Sequence, residues 1–521
     1  MKEKRIMKKL TLLIAMAAVL AFVGNAAAAT YKINLAGASA QAKFWRTAAS
    51  AFLSTQLGCT QTSIAEFSEE KDGIVQGTGC GFPSAGDSNT VQIAYLAIAS
   101  YAGCENAPGC LNQDMADPST CNFVQDFDNP GACTGQTPSP VHLGASDVPC
   151  ECLSQTSKGY EDGYDADASD GDGSCGQESG ALPNPGGDPN NWQSYGPYDN
   201  ALPARMTQYA SVAVPFGFIV NDSVQMAVCT NPGTANEDDI AYDPTGNECD
   251  PSDPAPCQGY ADCDKASKTC LAGVNAGNSC SDPEECPLYD NSEYDCVKKP
   301  LKNLSRIKLV AIFSGAVTKW SDFGPAFDVV AGHDDLPGPS GWNGPHDAQD
   351  YVDNDTIVAC MRHAGSGTHA TMENVVMRSD ASLINKTDCD RVFHYRSSSD
   401  LTEDCVQRFP GSIGYVDADK ILGKDDTQNI HVIKYQGVSP NRFTIANCEY
   451  PFFAEQQTFY DPDCVDNDLD TLADDLNAFA AIAANLNDDD FGAKADFWAT
   501  QDELLCSKGT TCGGCGLLPQ P

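Results

Sequence analysis

Four times along this chain a short apolar run stops abruptly in glycine, alanine and hydroxyl residues. Residues 31–35 lead into Ala36-Gly37-Ala38-Ser39-Ala40, and Ile74-Val75 into Gly77-Thr78-Gly79-Cys80-Gly81. Residues 141–143 lead into Gly144-Ala145-Ser146-Asp147, and residues 356–361 into Arg362 and then Gly365-Ser366-Gly367-Thr368. Two of the four pass into a helical pattern, over residues 41–57 with apolar Phe44, Trp45, Ala48, Phe52 and Leu53, and over residues 369–378. Repeated strand, turn and helix units predict an α/β sheet protein, whose ligand sites open at the carboxyl ends of its strands.

The turn after residue 361 carries the densest chemistry. Gly365 and Gly367 allow close backbone approach. Ser366 or Thr368 can cap the helix, and the exposed amides of a first helical turn favour an anion. Arg362 adds a planar, permanently charged fork that suits a tetrahedral oxyanion. The plain alternative is a capped helix after a turn. Ser39 has the same two readings, helix cap or ligand hydroxyl, and Thr78 can face a ligand from its own turn. Asp147 either caps a turn or accepts a proton from a protonated oxyanion. In the second role it favours hydrogen phosphate and repels sulfate.

The N-terminus reads as an export signal. Lys2, Lys4, Arg5, Lys8 and Lys9 precede an apolar run over residues 10–23, with Ala27-Ala28-Ala29 as the cleavage region. The 25 cysteines fit an oxidising compartment, so a periplasmic or extracellular location is expected. The formal charge is -41, and loss of residues 1–29, with five basic and one acidic side chain, takes it to about -45. Such a surface repels nucleic acid and anionic membrane and welcomes divalent cations. No second membrane-length apolar run occurs, so stable membrane insertion is not expected.

The cysteines cluster in acidic, Pro- and Gly-rich stretches that read as disulfide-held insertions, near 101–140 and, with eight cysteines, at 229–296; residues 151–200 form a further acidic loop region. Cys59 and Cys80 are candidates to pair. Two segments resemble calcium loops. Residues 165–173 alternate Asp with small residues, and Asp466, Asp468, Asp470, Leu472, Asp474 and Asn477 stand at first, third, fifth, seventh, ninth and twelfth positions, with Thr471 where a glycine is expected. Structural calcium is the candidate cofactor, with a plain solvated acidic loop as the alternative over residues 165–173; no catalytic cofactor is implied. His363 and His369 flank the anion turn, but no metal-ligand set or nucleophile–base pair stands out, so no enzyme is expected.

Six separated motifs, in order, resemble the periplasmic phosphate-binding proteins of ABC-type uptake systems. They are residues 36–40, Gly77-Thr78-Gly79-Cys80, residues 144–149, residues 312–320, residues 362–368 and Gly411-Ser412-Ile413-Gly414-Tyr415-Val416. The resemblance implies an α/β, two-lobed type II periplasmic-binding-protein fold with disulfide-rich loop insertions. The first lobe would span 30–215, the second 216–430, a return part 431–505, and a cysteine-containing tail 506–521. It implies phosphate, or a related oxyanion, held by Ser39, Ala40, Thr78, Cys80, Asp147, Arg362, Ser366, Gly367 and Thr368, with an ABC transporter permease as partner. Two departures stand out. Ala40 replaces the family's Phe, which opens the pocket, and Ala364 replaces an Asp, which leaves Arg362 without its usual carboxylate partner. The alternative is a secreted surface or adhesion protein on the same scaffold, calcium-stabilised and without a transport role.

Overall fold

The computed structural model describes residues 28–68, 72–97, 99–111, 140–153, 202–230, 263–264, 269–270, 295–324, 327–330, 355–362, 365–378, 393–396, 399–421, 429–486, 498–508 and 516–517. The export-signal residues, the 165–173 calcium-like segment and most of the insertion at 229–296 lie outside them.

The fold is mixed α/β around one 13-stranded sheet. In chain order its principal elements are β1 (Thr30–Gly37), α1 (Ala42–Ala51), β2 (Gln61–Ser68), β3 (Asp72–Cys80), β4 (Asn89–Ala97), α2 (Ser100–Asn106), β5 (Leu143–Ser146) and β6 (Thr207–Asn221). After the antiparallel pair β7 (Val224–Thr230) and β8 (Asp295–Pro300) come α3 (Arg306–Phe313), β9 (Phe327–Val329), β10 (Val358–Arg362) and α4 (Gly367–Thr371), which continues as a wider turn over Met372–Met377. Then follow β11 (Phe393–Arg396), α5 (Ser399–Arg408), β12 (Ser412–Asp417), β13 (Ile430–Tyr435), α6 (Arg442–Ala446), β14 (Phe453–Tyr460) and α7 (Asn467–Ala480). The main path across the sheet is β11-β10-β12-β6-β14-β5-β1-β4-β3-β2. Helices α1 and α7 cover it with apolar faces that include Phe44, Trp45, Leu472 and Leu476, all buried; apolar surface removed from water in this way is the main stabilising term of the fold.

Strand β6 is 15 residues long and serves two partners in succession. Residues 207–215 pair antiparallel with β14, whereas residues 216–220 pair antiparallel with β12. The changeover falls at Pro215/Phe216. β13 still pairs with residues 218–221 of β6, and the chain returns to the 207–215 half only at β14. An aromatic cluster packs the crossing: Phe218 stacks on Phe452 with centroids 5.0 Å apart, and Tyr450 Oη donates to the Phe216 carbonyl at 2.6 Å.

Strand direction follows from these pairings. β5 is parallel to β1 and antiparallel to β14, and β10 is parallel to β12. Ser146, the end of β5, is level with Gln457 of β14 and hence with Ala210 of β6; Asp417, the end of β12, is level with Phe216. The carboxyl ends of the two half-sheets therefore point at each other across the middle of β6.

Five disulfides lie among the described residues, joining Cys59–Cys80, Cys104–Cys150, Cys110–Cys464, Cys360–Cys405 and Cys448–Cys506. Cys104–Cys150 ties α2 to the turn after β5, and Cys360–Cys405 ties α5 to β10. Near Cys110–Cys464, Arg205 donates to both oxygens of Asp461 at 2.8 and 2.5 Å, and the Gly109 amide donates to one of them at 3.0 Å. This bonding holds the Asp461 carboxyl down at about 2 and fixes the segments from which residues 112–139 and 154–201 depart.

Replacing Cys360 and Cys405 together by Ala removes a crosslink spanning 45 residues. It should lower unfolding stability by roughly 3–4 kcal/mol through loop-closure entropy, read from denaturant midpoints. An unchanged midpoint would show that the crosslink does not constrain the unfolded chain.

Candidate functional site

From the first half-sheet, β5 ends at Ser146 and delivers Asp147, which is 4% exposed. The Asp147 amide donates to Ser100 Oγ at 3.0 Å, so the first residue of α2 holds the turn. Ser146 Oγ donates to the Val148 carbonyl at 2.6 Å and closes it. Gly103 is required for this packing: a Cβ there would lie 2.3 Å from the Ala145 carbonyl oxygen, so only glycine lets α2 sit directly on β5.

From the second half-sheet, β10 ends in Arg362, 3% exposed. Its Nη1 donates to Ser399 Oγ at 2.6 Å and to Thr368 Oγ1 at 3.4 Å, and lies 3.5 Å from Asp417 Oδ1. Thr368 Oγ1 in turn donates to Asp417 Oδ1 at 2.7 Å. The Arg362 amide donates to Tyr415 Oη at 3.3 Å, and that hydroxyl is bonded to His369 Nδ1 at 2.9 Å. Ser366 caps α4 by accepting from the His369 amide. The first amides of α4, at Gly367 and Thr368, lie where a helix start leaves donors without intrahelical partners.

The two sets meet. A Cβ on Gly367 would stand 2.3 Å from both Asp147 Cβ and Ser100 Oγ, and the Tyr101 amide donates to the Gly365 carbonyl at 3.2 Å. Burial, and then the charge of Asp417, push the Asp147 carboxyl up to about 7; the Gln456 amide and the Arg362 charge act against the rise. The site thus joins a fixed guanidinium, a carboxyl able to take or give a proton near neutrality, and several hydroxyl and amide donors.

Of the residues expected from sequence, Asp147, Arg362, Ser366, Gly367 and Thr368 come together. Ser39 and Ala40 sit at the same strand end: the Ala38 amide donates to the Ala145 carbonyl, and Gln41 Nε2 donates to the Ser146 carbonyl at 3.1 Å. Ser39 is not a helix cap, since that position is Ala38. Thr78 and Cys80 do not belong to the site. β3 is antiparallel to β4, and Thr78 is level with Thr90 and Thr30, at the far end of β1 from Gly37. Seven residues of strand put it about 23 Å away. Cys80 is moreover buried in its disulfide with Cys59.

Arg362 does have a carboxylate partner, Asp417, one residue beyond the motif read at 411–416. Ser399 and Ser100 were also missed; each is the first residue of a helix after a strand, and the hydroxyl at such a start was the available signal.

The calcium loop expected over residues 466–477 is helix α7. Asp466 is its N-cap, accepting from the Leu469 amide at 2.9 Å, and Leu472 is buried in the core. Asp470 accepts from Tyr460 Oη, and Asp474 from both Tyr209 Oη and Tyr460 Oη. Asn477 accepts from Thr458. Helical geometry turns these side chains around an axis instead of inward on an ion. No group of three or more His, Cys, Asp or Glu among the described residues is placed to hold a metal, and no helix among them is long and apolar enough to cross a membrane.

No protein-family model matches the chain, and no curated protein matches it. Solved structures similar to it include a putative phosphate ABC transporter substrate-binding protein with bound phosphate from Clostridium perfringens, at 11% identity over 90% of this chain and 99% of that one, TM-score 0.39. An ABC-type phosphate transport receptor from Vibrio cholerae aligns at 10% identity over 85% and 93%, TM-score 0.35. A phosphate-binding protein from Stenotrophomonas maltophilia aligns at 12% identity over 91% of each chain, TM-score 0.37.

Because the Asp147 carboxyl is raised to about 7, the folded protein keeps a proton that the unfolded chain releases above about pH 4. Its contribution to stability is complete below about pH 4 and is lost as pH rises through 7. In phosphate-free buffer, Asp147→Asn should flatten the fall in melting temperature between pH 4 and 7. An identical slope in both proteins would rule out the raised carboxyl.

Proposed function

We propose that this chain is a non-catalytic binding protein for hydrogen phosphate, or a closely related protonated tetrahedral oxyanion, taken between the two half-sheets. One observation carries the reading: buried Asp147 on one half-sheet packs against the α4 turn beside buried Arg362 on the other. A hydrogen phosphate held here would donate a hydrogen bond through its proton to the Asp147 carboxylate and accept hydrogen bonds from the Arg362 fork, from Ser366 and from the amides that open α4. Sulfate carries no proton, so above the titration of Asp147 the ionised carboxylate would repel it. Removal of water on closure strengthens each of these contacts.

Several features support binding over chemistry. The Thr368 hydroxyl donates to Asp417 and the Ser366 hydroxyl caps α4, which suits recognition better than nucleophilic attack. The disulfides suit an oxidising compartment outside the cytoplasm, where a binding protein would present its anion to an ABC-type permease.

Calorimetry on the purified protein at pH 8.5, where a carboxyl that titrates at about 7 is ionised, with phosphate and with sulfate as titrants, tests this. Phosphate should bind at least about tenfold more tightly, and Arg362→Ala should weaken it by roughly 10–100-fold. Equal affinity for both anions would remove the role given to Asp147, and no binding of either would defeat the reading.

A further inference from the structure

The strand beneath the gap carries a polar side chain that the site described so far does not use. Gln456 on β14 is 1% exposed, and neither its Oε1 nor its Nε2 has a hydrogen-bond partner among the described residues. Its neighbours on the strand are all engaged. Glu455 accepts from the Lys508 amide at 2.5 Å, Gln457 Nε2 donates to the Glu455 carbonyl at 2.9 Å, and Thr458 Oγ1 donates to Asn477. A buried amide left without partners costs stability, and native proteins keep such a group where something else satisfies it.

Its place in the sheet indicates what that is. Gln456 pairs with Val212, between the level of Ala210, where β5 ends, and that of Phe216, where β12 ends. It therefore stands where the two sets of strand ends face each other. The register slips between Gln456 and Gln457, an irregularity that re-aims side chains and recurs beside functional sites. Asp147 Oδ1, also buried, likewise has no hydrogen-bond partner among the described residues, and the amide is near enough to hold that carboxyl below where burial alone would put it.

We infer that Gln456 is a ligand-contacting residue, whose side-chain amide donates to an anion oxygen next to the protonated one that donates to Asp147. This deepens the phosphate-binding reading and rests on it. The contact comes from β14, the strand along which the chain crosses back between the half-sheets, so the ligand would touch both halves and the strand joining them. A donor there also offsets the crowding of Asp147 and Asp417 around an anion. The apolar isostere Gln456→Leu removes the contact while relieving the buried amide.

Phosphate calorimetry and thermal melting of wild type, Gln456→Leu and Gln456→Glu decide the matter. Gln456→Leu should lose about tenfold or more in phosphate affinity, with the melting temperature of the phosphate-free protein unchanged or raised. Wild-type affinity in this variant overturns the inference, as does an affinity loss matched by a fall in the phosphate-free melting temperature, which would make Gln456 a core residue only. Should Gln456→Leu fail to fold, Gln456→Glu decides: its affinity deficit should be large at pH 8 and shrink at pH 5, where the new carboxyl takes a proton, and a pH-independent deficit or none overturns the inference. Failure of the underlying reading is seen separately, as absence of phosphate binding by the wild type.

Discussion

The structure depends on one strand being antiparallel to both of its successive partners. Because β6 pairs antiparallel with β14 through Pro215 and with β12 from Phe216 onward, the carboxyl ends of two half-sheets are turned toward each other. In an open α/β sheet the carboxyl ends are where loops and helix starts collect and where ligands bind. Here two such rims meet, with Asp147 from one and Arg362 from the other, both buried, and the Gly367 turn packed directly on Asp147 and Ser100.

Electrostatics between the rims are arranged by hydrogen bonds more than by charge count. The chain is strongly acidic, and a phosphate approaching from solvent is repelled at long range. Inside the gap the balance changes. Asp417 stands by Arg362 and accepts from Thr368, and the rise of the Asp147 carboxyl lets it switch protonation at little cost near neutrality. In the proposed reading, an anion would be recognised by the number and direction of the donors and by the one proton it shares. The disulfides reinforce the arrangement where it matters: Cys104–Cys150 braces the Asp147 turn against α2, and Cys360–Cys405 braces β10 against the helix that supplies Ser399.

Much of this was legible in the residues, and the failures have physical causes. The turns that hold Asp147 and Arg362 announce themselves as small and hydroxyl residues after apolar runs, since close backbone approach and helix capping demand those types. The Gly77–Cys80 turn has the same composition, yet it lies at the wrong end of the sheet. Whether a strand runs with or against its neighbour is a tertiary property that its own sequence does not encode. Asp466–Asn477 shows the same ambiguity in another form. Acidic residues at alternate positions suit a calcium loop, but they also suit the first turns of a helix, where the dipole favours them and tyrosine hydroxyls satisfy them. Asp417 and Gln456 were not visible as site residues. Each ends or interrupts a buried strand and acquires its meaning only through register.

The most direct test of the shared gap is crystallographic. Crystals grown with arsenate, a tetrahedral stand-in for phosphate, and measured at the arsenic absorption edge would locate the anion without reference to any assumed site. The expected result is one strong anomalous peak between the Asp147 carboxyl and the Arg362 guanidinium, within hydrogen-bonding reach of both. Arsenate bound away from these two residues, or no ordered arsenate at millimolar concentration, would contradict the claim that the two half-sheets close on a single oxyanion.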